Sequence, residues 1–248
     1  DNSHNYGSVS RKGAIYRGKR MVNWCPVSRT ALSDEEVVMK SQKGQLTHFK
    51  IEIAEKPGTF LSIATTRPET IPGDVAIAVH PEDPRYAGWI GKKVRRALGP
   101  VAEIPIIADA SVDKEFGTGA LKITPAHDFN DYAVGQRHQL PLINIFTPEA
   151  KVLSDRDDIA EKYRGLDRFE ARKAIVADLD TRRHDFHVAI ENWQHDFNIG
   201  TVVRTANAFL AREVHIVGNR RWNRRGAMVT DRYQHVRHHV DVPAMAAY

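Results

Sequence analysis

The chain has 248 residues, 42% of them hydrophobic, which is enough to fill the core of one large domain or two small ones. No run of eighteen apolar residues occurs, and the first residues, DNSHNYGSVSRKG, lack the basic-then-apolar layout of a secretory leader. Membrane spanning and export therefore have no support in the sequence, and a cytoplasmic location is predicted. Cys25 is the single cysteine, which excludes an internal disulfide framework and a zinc knuckle, so no structural metal is predicted.

Charge is unevenly distributed along the chain, whose formal net charge is +5. Residues 181–248 carry ten Arg and six Asp or Glu, whereas all 13 Lys lie before residue 181. This change in composition predicts two domains, 1–180 and 181–248. The basic second part favours a phosphate-bearing partner, although a solvated Arg-rich surface explains its charge equally well.

Short apolar or alternating segments dominate the first 125 residues: FKIEIAE, GTFLSIATT, DVAIAVH, EIPIIAD and GALKIT. Pro, Gly and Asp separate them in EKPGT, TIPGD, HPEDPRY and LGPV, as turns between strands require. Many short strands in succession predict a curved or barrel-like sheet.

Helices and a second sheet are predicted further along the chain. One helix starts near His127, a buried strand follows in LINIF, and a second helix covers residues 166–179, with Leu166, Phe169, Val176 and Leu179 on one face. Beyond residue 181, HVAIEN, GTVVRTANAFL and EVHIVG read as strand, helix and strand. The predicted fold class is therefore α/β, with a mainly β domain and flanking helices followed by a partial βαβ unit.

The segment GTGALKITPAHDFND groups polar residues at a strand-to-helix junction. Lys122 and Thr124 lie two apart on a strand and share a face, and Asp128 and Asp131 lie three apart on the next helix. Together they suit holding an ammonium group and orienting a water near a carbonyl. The structural alternative makes Asp128 a helix N-cap that Lys122 only neutralises, and spacing alone favours that alternative.

The segment ATTRPET, residues 64–70, follows a strand and places three threonines, an arginine and a glutamate around one proline. Such groups could hold a phosphate or ribose and a small hydroxylated side chain, or they could form a threonine-rich turn.

Together these motifs resemble the inserted editing domain of class I aminoacyl-tRNA synthetases, most closely the valyl type. The resemblance covers about residues 12–180 and includes IYRGKRMVNWCP, TALSDEEV, ATTRPET, GDVAIAVHPEDPRY, FGTGALKITPAHDFNDY and GLDRFEARK. It implies hydrolysis of threonine mischarged on valine tRNA. A valine pocket rejects threonine by only about 10²-fold, a value known for valyl-tRNA synthetases themselves, so a second site must remove the error.

The resemblance also implies roles for individual residues. Asp131 would hold the α-ammonium of the substrate, and Arg67 would bind the terminal nucleotide. Lys122, Thr124 and Asp128 would position substrate and water, whereas the pocket would be lined by Thr65, Thr66, Glu69, Thr70 and Phe116. No metal or other cofactor is implied for editing, and His127 is interpreted as structural.

The ATP-binding strings of a complete synthetase, of the HIGH and KMSKS types, do not occur in the chain. Valine activation is therefore not expected, and ATP belongs to the complete family only.

The second domain carries its own resemblance. NIGTVVRTANAF reads generically as a helix with Asn198 as cap, Gly200 in a tight turn and Arg204 facing solvent. It also resembles the first motif of SpoU-family RNA ribose 2′-O-methyltransferases, which implies active-site roles for Asn198 and Arg204. With RRWNRRGAMVTDRYQH, the resemblance covers about residues 185–239. The later motifs that bind S-adenosylmethionine are missing, so no methyl transfer is expected.

Further alternatives remain open for the second domain. The chain could be an RNA-binding module without turnover, in which the editing part is a non-catalytic, tRNA-binding relic. Its tail would then bind phosphates through Arg204, Arg220, Arg221, Arg224 and Arg225. It could also be a fused or truncated reading frame whose tail does not fold. The HVRHH segment suggests a metal, but the nearby arginines and the absence of an assigned carboxylate or thiol partner favour a surface patch.

Overall fold

The structure is a computed structural model that describes residues 18–40, 45–100, 102–193, 198–222, 227 and 234–248. It divides into two compact units, Asp1–Val38 and Met39–Tyr248. In the first unit, strands β1 (Asn23–Cys25) and β2 (Thr30–Leu32) form an antiparallel hairpin. The predicted boundary near residue 180 stays a prediction.

A strongly curved six-stranded sheet forms the centre of the second unit, in the order β4-β3-β6-β7-β5-β8. Its neighbouring strands are antiparallel except β5 and β7, which are parallel. The edge strands β4 and β8 contact each other, so the sheet is nearly closed. This confirms the predicted barrel-like architecture. The strands are β3 (Thr47–Ile53), β4 (Phe60–Thr65), β5 (Ala76–Val79), β6 (Lys93–Arg95), β7 (Glu103–Ala108) and β8 (Ala120–Ile123).

Alternation along the strands builds the core of this sheet. In β3, Phe49, Ile51 and Ile53 are buried, whereas Lys50 and Glu52 are partly exposed between them. Each buried side chain of this size contributes about 1.5–3 kcal/mol. The period of two thus fixes which face of β3 points inward.

Two helices flank the sheet, α1 (Phe129–Arg137) and α2 (Arg168–Asp180). The predicted face of α2 is partly wrong, because Phe169 is exposed while Ala171, Ile175 and Leu179 are buried. The buried residues lie four apart, and the inward face that they form is rotated by about 100°, the angle of one residue, from the predicted face.

The predicted strand in LINIF does not form, apart from one bridge between Phe146 and Val152. Side chains accept the backbone hydrogen bonds that a neighbouring strand would otherwise accept. The Ile145 N–H donates to His127 Nε2, and the Phe146 N–H donates to Asn144 Oδ1. Ile145 is nevertheless fully buried, so the apolar pattern correctly indicated a buried segment but not its secondary structure.

The tail forms a three-stranded parallel sheet of β9 (His184–Asn192), β10 (Ala211–Gly218) and β11 (Val236–His239), in the order β11-β10-β9. Helix α3 (Ile199–Ala208) joins β9 to β10 and packs Ile199 and Val203 on one face of this sheet. This confirms the predicted βαβ unit. Gly200 lies inside α3 and not in a turn as predicted.

A short helix, α4 (Val242–Ala246), follows β11 and contacts β10 and β11. Within the described ranges, none of the helices has the length and apolar character needed to cross a bilayer.

Candidate functional site

A pocket of about 190 Å³ opens where β4, the 3-10 helix Pro68–Gly73, β8 and the start of α1 meet. Apart from Glu69, every residue that the editing-domain resemblance implicated lines this pocket. These residues are Thr65, Thr66, Arg67, Thr70, Phe116, Lys122, Thr124, Asp128 and Asp131, and Leu46, Ala64, Leu121, His127 and Asn130 complete the wall. Two segments that lie about fifty residues apart in sequence therefore form one cavity.

Lys122 lies at the base of the pocket with its side chain 6% exposed. Its ammonium donates to Thr70 Oγ1 and Asp74 Oδ1, each at 2.8 Å, and to Thr124 Oγ1. Burial raises the pKa of Asp74, and the Lys122 charge opposes that rise. The predicted neutralisation of Asp128 by Lys122 is wrong, because Asp74 is the carboxylate that pairs with this lysine.

The hydroxyl groups beside Lys122 have fixed directions. Thr70 Oγ1 donates to the carbonyl of Arg67 at 2.9 Å, and Thr124 Oγ1 donates to Asp74 Oδ1 at 2.7 Å. Since both hydroxyls also accept from the ammonium, their protons point away from Lys122. The ammonium therefore orients two pocket side chains.

Asp128 and Asp131, at the strand-to-helix junction, accept hydrogen bonds from different backbone groups. Asp128 is the N-cap of α1, and its Oδ1 accepts the N–H groups of Asn130 and Asp131 at 2.8 and 3.1 Å. The prediction that Asp128 is a helix N-cap is thus confirmed, and its side chain also lines the pocket. Asp131 Oδ2 accepts the Thr124 N–H at 2.8 Å, and burial raises the pKa of Asp131 to about 6.

Arg67 lies between the pocket and a buried ion pair. Its guanidinium donates to the carbonyl of His127, and its Nε lies 3.4 Å from Glu69 Oε1. Glu69 is 3% exposed and accepts two hydrogen bonds from Arg172 of α2, at 2.8 and 2.7 Å. Burial alone would raise the pKa of Glu69, but the hydrogen bonds and charge of Arg172 keep it lowered. Glu69 supports the pocket wall from behind.

His127 lines the pocket, yet its Nε2 already accepts the Ile145 N–H at 3.1 Å. Burial and the charges of Arg67 and Lys122 lower the pKa of His127 to about 4. The ring is therefore neutral at pH 7, with that nitrogen's lone pair engaged by the backbone.

The mouth of the pocket is less constrained. Thr65 is buried and accepts the Arg67 N–H, whereas Thr66 is exposed and Phe116 is 67% exposed. The turn after Phe116 needs glycine at residue 119, where φ is +73° and a Cβ would approach the Lys114 carbonyl to 3.1 Å. This explains the second glycine of GTG.

Sequence reasoning missed Asp74 and Arg172. Asp74 was counted as a turn residue of TIPGD, and Arg172 as part of a helix. The sequence did contain a signal for Asp74, because this residue directly precedes the apolar strand segment VAIAV. A carboxylate next to a buried strand is rarely buried itself unless a cation pairs with it. Nothing local in sequence marks Arg172, since its partner lies 103 residues away.

In the tail, both residues of the methyltransferase resemblance belong to α3 or its cap, and their roles stay predictions. Asn198 is the N-cap residue of α3, but its side chain does not cap the helix, and Arg204 is exposed on the same helix. Six residues along an α-helix correspond to directions about 120° apart. Of the proposed phosphate-gripping arginines, Arg220 and Arg221 are exposed. Arg224 and Arg225 lie outside the described residues.

The histidines of the tail do have a carboxylate partner, contrary to the sequence analysis. Glu213 of β10 lies 3.6 Å from His215 and 3.9 Å from His187. The HVRHH segment adds His239, which lies 2.9 Å from His215. The partner was missed because it comes from the neighbouring strand.

Comparison with known proteins identifies the class to which this pocket and curved sheet belong. Residues 3–237 match the family model described as tRNA synthetases class I (I, L, M and V), so the chain belongs to that family.

The curated relatives are more particular. The chain is 61% identical over 171 residues to a protein named valine–tRNA ligase from Coxiella burnetii and 58% identical over 169 residues to one from Dechloromonas aromatica. These alignments cover 69% and 68% of the chain, but only 18% and 17% of the relatives. A third valine–tRNA ligase, from Latilactobacillus sakei, is 51% identical over 198 residues, 80% of the chain and 21% of that protein. The chain thus spans about a fifth of their length.

Among solved structures, the crystal structure of GlLeuRS-CP1 aligns with 55% of the chain and 96% of its own length, at 13% identity and a TM-score of 0.43. The SpoU resemblance of residues 185–239 stays a prediction.

Proposed function

We propose that the chain is an aminoacyl-tRNA deacylase that hydrolyses threonine mischarged on valine tRNA. The observation that carries this proposal is the single pocket shared by Lys122, Thr124, Asp131 and Arg67 in a chain of the class I synthetase family. The names of the relatives supply valine tRNA as the partner.

Binding of the substrate begins with its α-ammonium, which Asp131 accepts. Burial makes the carboxylate of Asp131 costly to ionise, and a bound ammonium repays that cost because opposite charges favour each other's ionised form. An amino acid without a free α-ammonium is therefore a poor substrate. Arg67, at the pocket wall, is the cation proposed to hold the terminal nucleotide.

Selection against valine requires the pocket to read a hydroxyl group. A site that hydrogen-bonds a substrate hydroxyl rejects an analogue that lacks it far more strongly than an apolar pocket rejects an extra hydroxyl. Thr65, Thr66 and Asn130 are the polar wall residues proposed to contact the threonine hydroxyl.

The chemical step is attack of water on the ester carbonyl. The carbon–oxygen bond to the terminal ribose breaks, the ribose oxygen takes a proton, and free threonine leaves. The second oxygen of Asp128 is proposed to orient the water, because its Oδ1 is occupied by two backbone N–H groups. Positioning of this kind accounts for the rate without a metal. Lys122 acts by holding Thr70 and Thr124 in place.

Incubation of the full chain with threonyl-tRNA(Val) and, separately, with valyl-tRNA(Val) tests the proposal. Release of threonine but not valine is expected, and Asp131→Ala is expected to lower the rate at least 100-fold. Asp157→Ala, at a fully exposed position, is the matched control and should keep the wild-type rate. An unchanged deacylation rate in Asp131→Ala would contradict the role assigned to Asp131. If the wild-type chain released no threonine, the proposed function itself would be wrong.

A further inference from the structure

The tail sheet has two unlike faces. Side chains alternate along its strands, and Val188, Val214, Ile216 and Val236 belong to the apolar cluster under α3. The neighbouring positions therefore point to the opposite face, which carries His187, Glu213, His215, Arg237 and His239. A parallel sheet is usually apolar on both faces, so apolar packing does not explain a cluster of histidines and a carboxylate there.

Three ligand atoms on this face converge on one point. His187 Nδ1 and His215 Nε2 are 2.7 Å apart, and Glu213 Oε2 lies 3.9 Å from the first and 3.6 Å from the second. A tetrahedral zinc ion with bonds of about 2.0–2.2 Å separates its ligands by about 3.3–3.6 Å. The observed separations lie on both sides of that range, so small side-chain rotations produce the required triangle.

We propose that His187, Glu213 and His215 bind a divalent first-row transition-metal ion, for which Zn²⁺ is the closest match. Two imidazoles and one carboxylate form a known zinc donor set with three protein ligands and an open fourth position. The side chains of Glu213 and His215 are 11% and 6% exposed, whereas that of His187 is 40% exposed. The fourth position thus faces solvent beside His187, where a water completes the coordination.

The surroundings hold the ligands in place as the second shell of a metal site does. When His215 binds through Nε2, its Nδ1–H donates to His239 Nε2 at 2.9 Å, which fixes the tautomer. Arg237 donates to the Glu213 carboxylate at 2.8 Å and orients it. Because His187 belongs to β9 and the other two ligands to β10, the ion cross-links two strands of the tail.

Zinc binding by the metal-free full chain is measured by competition with a chromogenic chelator, and Co²⁺ is added separately to record its visible absorption. One ion per chain and the intense bands of a four-coordinate cobalt site are expected. Glu213→Gln and His187→Gln are each expected to weaken Zn²⁺ binding at least tenfold and to remove those bands. His238→Gln is the matched control, because His238 lies next to His239 in β11 and points to the other face.

Circular dichroism establishes that each variant keeps the secondary structure of the wild-type chain. Equal affinity in the wild-type chain, Glu213→Gln and His187→Gln would overturn the proposal, as would less than one ion per chain in the wild type. The cluster would then be a row of hydrogen-bonded histidines. Threonyl-tRNA(Val) deacylation is independent of this site and is expected to be the same in all three variants.

Discussion

Replacement of Lys122 by methionine tests whether the base of the pocket is held by a buried ion pair. Methionine keeps most of the side-chain volume but removes the ammonium, so Asp74, whose side chain is 2% exposed, loses its cation. Removing one partner of a buried pair costs about 3–5 kcal/mol, because the remaining charge is left in a medium that solvates it poorly. The free energy of unfolding at pH 7 is expected to fall by that amount.

The size of this loss depends on pH in a direction that the structure fixes. Burial already raises the pKa of Asp74, and removing Lys122 raises it further. Because this pKa then lies above the value of about 3.9 in the unfolded chain, Asp74 favours folding at low pH, and that contribution is lost as pH rises through the folded pKa. Lys122→Met is therefore expected to be less destabilising at pH 5 than at pH 8.

Urea denaturation followed by far-ultraviolet circular dichroism measures these differences for Lys122→Met, Asp74→Asn and the double variant. The double variant is expected to lose less stability than either single variant, because neither partner is then left as an unpaired buried charge. A single-variant loss under about 1 kcal/mol, or strict additivity, would refute the ion-pair reasoning.

Three further predictions concern Asp131 in the pocket, the hydrogen bonds of Glu69 and the packing of α1. The pKa of Asp131 is about 6, so the stability difference between the wild-type chain and Asp131→Asn should shift by about 2 kcal/mol against the wild type from pH 4 to pH 7, as measured by urea denaturation. Arg172→Gln removes two charge-assisted hydrogen bonds from buried Glu69, so thermal denaturation should show a loss of about 2–3 kcal/mol. Gly135→Ala should destabilise the chain by about 1–2 kcal/mol in urea, because a Cβ there would lie 2.8 Å from Pro125 and displace α1.

Matched controls separate these effects from general damage. Lys173→Gln changes an exposed charge next to Arg172 and should alter stability by less than about 0.5 kcal/mol. Gly88→Ala adds a Cβ with no atom within 4 Å and should be equally neutral. If Gly135→Ala proved more stable than the wild type, the higher helix propensity of alanine would outweigh the clash, and the close packing of α1 would be disproved.

The strands could be predicted from sequence because they depend on local pattern, whereas most residues of the pocket were named by the editing-domain resemblance. The alternation of apolar and polar residues in FKIEIAE predicts which side chains point inward, and the burial of side chains along β3 agrees with that prediction. Lys122 and Thr124 were assigned to one face from their spacing alone, and they do share one carboxylate partner. Cap geometry is equally local, and Asp128 caps α1 as its position indicated.

Partners that come from distant segments could not be predicted in this way. Lys122 pairs with Asp74, 48 residues away, and Arg172 pairs with Glu69, 103 residues away. The spacing of residues along the chain shows which side chains can meet only once the order of the strands in the sheet is known. The crossover that places β5 beside β8 has no local signal in the sequence. The same reason explains why Glu213 was not seen as a partner of the tail histidines.

The ion pair that stabilises the pocket also prepares it for the proposed reaction. The Lys122 ammonium donates to Thr70 and Thr124, so both hydroxyls point in set directions before any substrate binds. Groups that need no reorganisation during a reaction stabilise its transition state most effectively, which makes the buried charge pair useful beyond its modest net effect on stability. Lys122→Met/Asp74→Asn should therefore recover stability relative to Lys122→Met without recovering deacylation. Recovery of both would show that the orientation of the two hydroxyls does not matter for the reaction.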